Sequence, residues 1–204
     1  AIARVRKDEG DGLTEADPTS PDFIPNEFGT GVVVDKRGLI LTNYHVLGDI
    51  AKNDYYVWTA HKPFKAKAKV EAADGWLDLA VLKFTADNLG PIVFGDAENL
   101  KKGQIVIALG NPYAIARDGE VSASWGIISN LHRQAPPTPR TGRPTPGKET
   151  LHHYGTLIQT DAKLNLGTSG GALVNLKGEM VGLTSSLAAG AQYEKPAGFA
   201  IPLG

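Results

Sequence analysis

The sequence predicts an all-β chain of many short strands, folded as a β-sandwich or barrel. Three observations carry this. Short apolar, β-branched runs recur along the 204 residues. Turns rich in Gly, Asn and Asp separate them, and no convincing long helical period is present. Many short strands with regular turns imply a layered or closed β architecture.

In chain order, Gly31–Val34 and Leu39–Thr42 are β-rich runs, with Asp35-Lys36-Arg37-Gly38 between them as a hairpin loop ending in Gly. Lys65, Lys67 and Lys69 alternate with Ala66, Ala68 and Val70, the period of a strand with one wet face. Further strands are predicted at Leu79–Phe84, Gln104–Leu109, Val121–Leu131, Leu157–Thr160, Ala172–Leu176 and Met180–Ser185. Asn175-Leu176-Lys177-Gly178 is the turn between the last pair, and Asp96–Lys102 has room for one short turn. Two stretches break the pattern. Asp8–Glu27 holds seven acidic residues, no basic ones and three prolines, and His132–Thr150 holds five prolines and a formal charge of +3. Both are too polar or Pro-rich for core strands and read as surface loops, either plain solvated loops or regulatory ones.

Composition narrows the function classes. With 42% hydrophobic residues the chain can form one large domain or two small ones sharing an interface. A net charge of −1 and the lack of a basic stripe argue against nucleic acid as a partner. The absence of cysteine removes disulfides, Cys-ligated zinc and thiol catalysis. Apolar runs are far shorter than the ~20 residues of a membrane span, so none is expected. The chain opens at Ala1, and no targeting segment is read in it.

The candidate chemistry starts at Gly167-Thr168-Ser169-Gly170-Gly171, followed by the apolar run Ala172-Leu173-Val174. A serine hydroxyl needs a base to become a nucleophile, and donors for the oxyanion it creates. Glycines on both sides allow a sharp turn and close approach of a substrate. Taken alone, the pentapeptide reads equally well as a Gly-rich turn. Its partners change the balance. His45 follows the strand Leu39–Thr42, and Asp78 opens the apolar run Leu79-Ala80-Val81-Leu82. A carboxylate in such a run is expensive to bury without a partner, and a histidine Nδ1–H supplies one. Asp74, before Gly75, is the competing acid but reads as a turn residue. Chain order discriminates further. The G-x-S-x-G pattern of α/β-hydrolases requires a histidine after the serine, and none of the five histidines follows Ser169. A subtilisin-like order needs an acid before His45, where Asp35 lies in a hairpin turn. The order His45, Asp78, Ser169 is that of the chymotrypsin arrangement. His152 and His153 are adjacent, which points their rings apart on an extended segment, so they read as loop rather than as metal ligands.

At this point the residues resemble the HtrA/Deg group of trypsin-like serine proteases. The match is carried by Gly29-Thr30-Gly31-Val32-Val33-Val34 with Leu41-Thr42-Asn43-Tyr44-His45-Val46, and by Asp78-Leu79-Ala80-Val81-Leu82. It continues through Gly110-Asn111-Pro112, Gln159-Thr160-Asp161-Ala162, the run from Asn165 to Asn175, and Gly198-Phe199-Ala200-Ile201-Pro202. The resemblance implies two six-stranded antiparallel β-barrels of the chymotrypsin type, over about residues 1–95 and 103–204, with the active site between them. It implies His45 as general base, Asp78 as its orienter and Ser169 as nucleophile. The oxyanion loop would be Gly167, Thr168 and Ser169, with the Gly167 and Ser169 amides as donors. Leu164, Thr184, Ser185, Ser186 and Leu187 would form the substrate-binding wall, with Leu164 and Leu187 favouring an apolar pocket. Neither metal nor cofactor is implied. Polypeptide substrates are, together with quality control of misfolded proteins outside the cytoplasm, and homotrimers. The family's PDZ domain is not expected within this chain, which ends at Gly204.

The sequence departs from the family in places. Thr168 stands where Asn is usual, which rules out an ion pair with a freed amino terminus, and Tyr44 replaces a second Asn before the histidine. Lys163, six residues before Ser169, lies in a stretch the family remodels, so it does not imply acidic specificity. The loop His132–Thr150 is longer than usual. Two other functions fit the same residues. One is a peptide-binding scaffold with a silent or resting site. The other is an assembly module whose acidic and basic loops bind neighbouring subunits.

Overall fold

Alternating apolar and polar residues become strands almost everywhere in the computed structural model. It describes residues 1–7, 20, 25, 27–59, 62–111, 120–135, 150–185 and 197–203, with backbone alone for 62–65. The first half holds β1 (Ile2–Arg6), β2 (Glu27–Gly29), β3 (Val32–Asp35), β4 (Leu39–Thr42), β5 (Asn53–Thr59), β6 (Lys62–Asp74) and β7 (Leu79–Lys83). The second half holds β8 (Ile105–Gly110), β9 (Ser122–Arg133), β10 (Leu157–Thr160), β11 (Ala172–Val174), β12 (Met180–Ser185) and β13 (Gly198–Pro202). Helix is confined, among the described residues, to the short α1 (Tyr44–Leu47) and a 3₁₀ turn at Leu151–Tyr154.

The second set closes into a six-stranded barrel in the order β10-β13-β12-β11-β8-β9. The first forms a seven-stranded sheet in the order β2-β1-β5-β6-β7-β4-β3, curled but without a ladder joining its two ends. This is the two-barrel architecture expected, with one unit closed and the other a curled half-barrel sheet. Curling comes from β6, which pairs with β5 through Lys62–Ala68 and with β7 through Lys69–Asp74, with a register shift between Val70 and Ala72. Closure is lost where β2 runs into β3. Thr30 sits between them, and its N–H donates to the Ser169 carbonyl (2.9 Å) while its own carbonyl accepts from the Thr42 hydroxyl (2.8 Å). Backbone groups that would extend a ladder are spent on the neighbouring barrel and on β4.

Two apolar clusters fill the interiors. Ile2, Ile40, Leu47, Val57, Leu82 and Phe84 pack inside the first sheet, and Val106, Ile128, Ile158, Leu173 and Val181 inside the barrel. A third lies along the seam, where Val32, Leu41 and Leu79 of the first sheet meet Ala172, Met180, Leu183 and Ile201 of the barrel. Each fully buried Leu or Ile contributes on the order of 1.5–3 kcal/mol, so the seam is a core and not a loose contact between two units. The acidic stretch 8–27 and the Pro-rich stretch 132–150 lie mostly outside the described residues.

Candidate active site

Asp78 and His45 meet beside the seam, Ser169 lies in the turn next to Gly29 and Thr30, and each is placed by a different local device. Asp78 directly precedes β7, is 2% exposed, and adopts a left-handed φ of 52°. Such a backbone is uncommon outside Gly, though Asp and Asn tolerate it best. It lets one residue use both ends. The Asp78 carbonyl accepts the Tyr44 N–H (3.1 Å) and the Asn43 side-chain amide (3.2 Å), while carboxylate Oδ1 accepts the His45 N–H (2.9 Å). The amides at the start of α1, which have no intrahelical partner, are therefore capped by Asp78 from another strand. The same carboxylate holds His45 Nδ1 at 3.0 Å and 2.9 Å from its two oxygens. With Nδ1 protonated and bonded to a carboxylate, Nε2 is the free basic nitrogen.

The other end of α1 is fixed by β1 and β5. Arg4 on β1 donates to the Val46 carbonyl (3.2 Å), reaches the His45 carbonyl (3.5 Å) and forms an ion pair with Glu27. Tyr55 OH and Asn53 Nδ2 both donate to the Leu47 carbonyl, at 2.9 and 3.2 Å. Burial pushes the Tyr55 phenol up to about 12, so it stays protonated as a donor. A helix of four residues has almost no intrinsic stability. Its histidine is held because flanking strands supply partners at both ends.

Ser169 lies in the turn before β11 and is 4% exposed. Its neighbours are stitched to both halves of the molecule. The Thr30 hydroxyl donates to the Gly167 carbonyl (2.7 Å) and accepts the Asn111 N–H (2.9 Å). The Thr184 hydroxyl donates to the Thr168 carbonyl (2.7 Å), and Gly170 N–H donates to the Thr184 carbonyl (2.9 Å). Gly170 has φ 82°, and a Cβ there would lie 2.1 Å from the Thr30 carbonyl oxygen and 2.4 Å from Thr42 Oγ1. Only Gly fits both the conformation and the space. Gly29 brings Ser169 next to the helix of His45, since a Cβ at Gly29 would stand 2.6 Å from Val46 Cγ1 and 3.5 Å from the Ser169 carbonyl oxygen.

The remaining predicted residues divide. Thr168 gives its N–H and its hydroxyl to the Asn165 carbonyl (3.1 and 2.6 Å), which engages both of its donors. Thr184, expected on the substrate wall, bonds the turn around Ser169 with its hydroxyl, N–H and carbonyl, which makes it a brace for that turn. Ser185 follows it on β12 and is buried. Leu164 packs against the barrel core beside Gly198. Ser186 and Leu187 lie outside the described residues. Asp74 is the turn residue its context predicts, with Oδ1 accepting the Trp76 and Leu77 N–H groups (2.8 and 3.1 Å). His152 and His153 occupy the 3₁₀ turn rather than an extended segment, and His152 is 1% exposed. Thr30, Arg4 and His152 were not singled out as site residues. The first sits in a motif quoted for resemblance, but the other two carry no local pattern that marks them.

Residues 29–183 match the family described as trypsin-like peptidase domain. A probable periplasmic serine endoprotease DegP-like of Chlamydia trachomatis is 34% identical over 176 residues, covering 85% of this chain and 31% of that protein. The serine endoprotease DegS of Haemophilus influenzae is 39% identical over 181 residues, covering 87% of this chain and 47% of DegS. Among solved structures, the HtrA-type protease AlgW with a decapeptide superposes with a TM-score of 0.64 at 31% identity, covering 86% of this chain and 48% of AlgW. The chain thus spans from about a third to half the length of these relatives. The Chlamydia relative is named as periplasmic, and no helix among the described residues is long and apolar enough to cross a membrane.

Proposed function

Taking as premise that this chain belongs to the trypsin-like peptidases, within them to the HtrA/Deg serine endopeptidases, we propose that it cleaves polypeptides through Ser169, His45 and Asp78. The observation that carries the assignment of residues is the buried Asp78 carboxylate, with both oxygens within 3.0 Å of His45 Nδ1. A carboxylate there fixes the ring's tautomer and stabilises the imidazolium that forms during attack. His45 Nε2 takes the proton of Ser169 as its Oγ attacks the peptide carbonyl. The amides of Gly167 and Ser169 receive the oxyanion; one such donor is worth ~100–1000-fold in rate. His45 then protonates the leaving amine, and water repeats the steps on the acyl-enzyme to release the acid.

As substrates we propose unfolded or damaged proteins met outside the cytoplasm, in line with the periplasmic endoproteases it resembles and with the peptide held by AlgW. Assembly as a homotrimer belongs to the same proposal, as does a division near residues 95–103 into two barrel units.

A fluorophosphonate probe tests the assignment. Ser169 is expected to be the labelled residue, with labelling abolished in Ser169→Ala and strongly reduced in His45→Ala. Intact folded protein that takes up no probe would overturn it. Release of new amino termini from casein, lost in the same variants, would extend the result from acylation to peptide cleavage.

A further inference from the structure

The turn that carries Asp78 is gripped from the opposite half of the molecule. Leu151 N–H donates to the Trp76 carbonyl (2.8 Å), and His152 Nε2 lies 2.9 Å from the Leu77 carbonyl. Two consecutive residues of the 3₁₀ turn before β10 thus hold two consecutive carbonyls of the β6–β7 turn, just ahead of the acid. The rings of Trp76 and Tyr154 lie 5.9 Å apart over the same junction. Nothing in the proposed reaction uses these contacts, yet they bear on it. Asp78 holds φ 52°, a conformation that persists only where its surroundings over-determine it. The peptides on either side of Asp78 are indeed both pinned. The one before it is held by His152 through the Leu77 carbonyl, and the one after it by Tyr44 and Asn43 through the Asp78 carbonyl.

Hydrogen-bond chemistry fixes the state of His152. The Leu77 carbonyl can only accept, so Nε2 carries the proton. Nδ1 is then a lone pair, and the Thr156 hydroxyl, 3.0 Å away, donates to it. The ring is 1% exposed, and burial disfavours its charged form, against the opposing pull of the Leu77 carbonyl and of Asp78. A neutral Nε2–H imidazole is therefore the form that makes both bonds.

We propose that His152 is a positioning residue for the triad, a neutral imidazole that holds the Leu77 carbonyl across the seam and so aims Asp78 at His45. This rests on the reading of Ser169, His45 and Asp78 as the triad. His152 reaches neither substrate nor the serine; it acts through the backbone of the acid.

Fluorophosphonate inactivation of the full chain, resolved into kinact and KI, tests it together with the proton spectrum. A hydrogen bond between His45 Nδ1–H and Asp78 gives a far-downfield resonance that reports their geometry directly. In His152→Phe, which keeps bulk and loses the donor, kinact is expected to fall roughly ten- to a hundredfold with KI unchanged, and the resonance to shift or broaden. His152→Gln, whose amide can donate to Leu77, is expected to recover most of both. Unchanged kinact and resonance in His152→Phe would overturn the proposal, as would equal losses in Phe and Gln. Should His152→Phe fail to fold, Thr156→Val decides. It removes only the hydroxyl that selects the tautomer, and is expected to lower kinact about threefold; no change would refute the role. Failure of the wild type itself to react would instead strike at the triad reading.

Discussion

Replacing Thr30 by Val removes one hydroxyl and tests how the nucleophile turn is held. Thr30 is 3% exposed, and its Oγ1 bridges the Gly167 carbonyl (2.7 Å) and the Asn111 N–H (2.9 Å). Val fills the same volume without the oxygen, so two buried backbone groups lose their partner. Each such loss costs about 1–3 kcal/mol, giving a sum of roughly 2–6 kcal/mol. Partial relaxation of the turn brings the expected destabilisation to about 2–4 kcal/mol. Gly167 is one of the two oxyanion donors proposed here, and its carbonyl anchor fixes the peptide that follows it. If about half the loss appears as misorientation of this turn, acylation slows some five- to thirtyfold. Urea unfolding measures the first quantity and fluorophosphonate inactivation the second. Thr30→Ser, which restores the hydroxyl, is expected to return both most of the way. A Thr30→Val protein with the wild-type urea midpoint and labelling rate would refute the reasoning, because the bridge would then hold nothing in place.

Gly170→Ala is expected to cost about 3 kcal/mol or more, since a Cβ would stand 2.1 Å from the Thr30 carbonyl at φ 82°; soluble yield and urea midpoint check this, and near-wild-type stability would contradict the geometry. His152 gives a pH prediction with a definite sign. Burial is the largest influence on it and lowers its pKa below 6.5, with His153 adding to that, while the Leu77 carbonyl and the Asp78 charge oppose. The unfolded chain therefore binds a proton that the folded one rejects. The associated stability is fully present above pH ~6.5 and declines as pH falls through that value, by at most about 1.4 kcal/mol per pH unit from this group. Urea midpoints at pH 7.5 and 5.5 are expected to fall further apart in the wild type than in His152→Gln; equal differences would count against a buried neutral imidazole.

The strands of the barrel were largely legible because their burial alternates or is continuous. Leu157–Thr160 and Met180–Ser185 have the bounds read from the residues, as does Leu39–Thr42 in the first sheet. β1 and β5 were not legible. Ile2–Arg6 mixes two arginines into a five-residue strand, and Asn53–Thr59 opens on Asn-Asp, which reads as a turn. Their pairing with each other, Ile2 against Val57 through Arg6 against Asn53, is a tertiary fact with no local trace. Reading the site met the same boundary. Asp78 stood out because a carboxylate in an apolar run demands a partner. The position of Thr184 on β12 says nothing of which way its polar groups turn, and here its hydroxyl, N–H and carbonyl bond the turn around Ser169. His152 misled because adjacent histidines were read on an extended segment, whereas a 3₁₀ turn buries one of them and leaves the other half-buried.

Several of the hydrogen bonds that locate the site cross between the two halves of the chain, and this has a consequence for stability. Thr30 reaches Gly167 and Asn111, Leu151 and His152 reach Trp76 and Leu77, and each pairs a side chain or amide with a backbone group far along the sequence, the Thr30 pair fully buried. Neither half alone can satisfy those groups, and an unpaired buried carbonyl or amide costs more than its bond contributes when made. Separation of the sheet from the barrel would therefore expose the apolar seam and orphan the same backbone atoms that orient Gly167 and Asp78. Reactivity at Ser169 and cohesion of the fold are thus expected to fail together under denaturant, in contrast to a site carried on one sheet, which can survive the loosening of the other. Fluorophosphonate labelling and intrinsic tryptophan emission followed through one urea titration compare the two directly. Coincident midpoints support a site built into the seam, and labelling that outlasts the emission change, or is lost well before it, would show that the catalytic groups are held by one half alone.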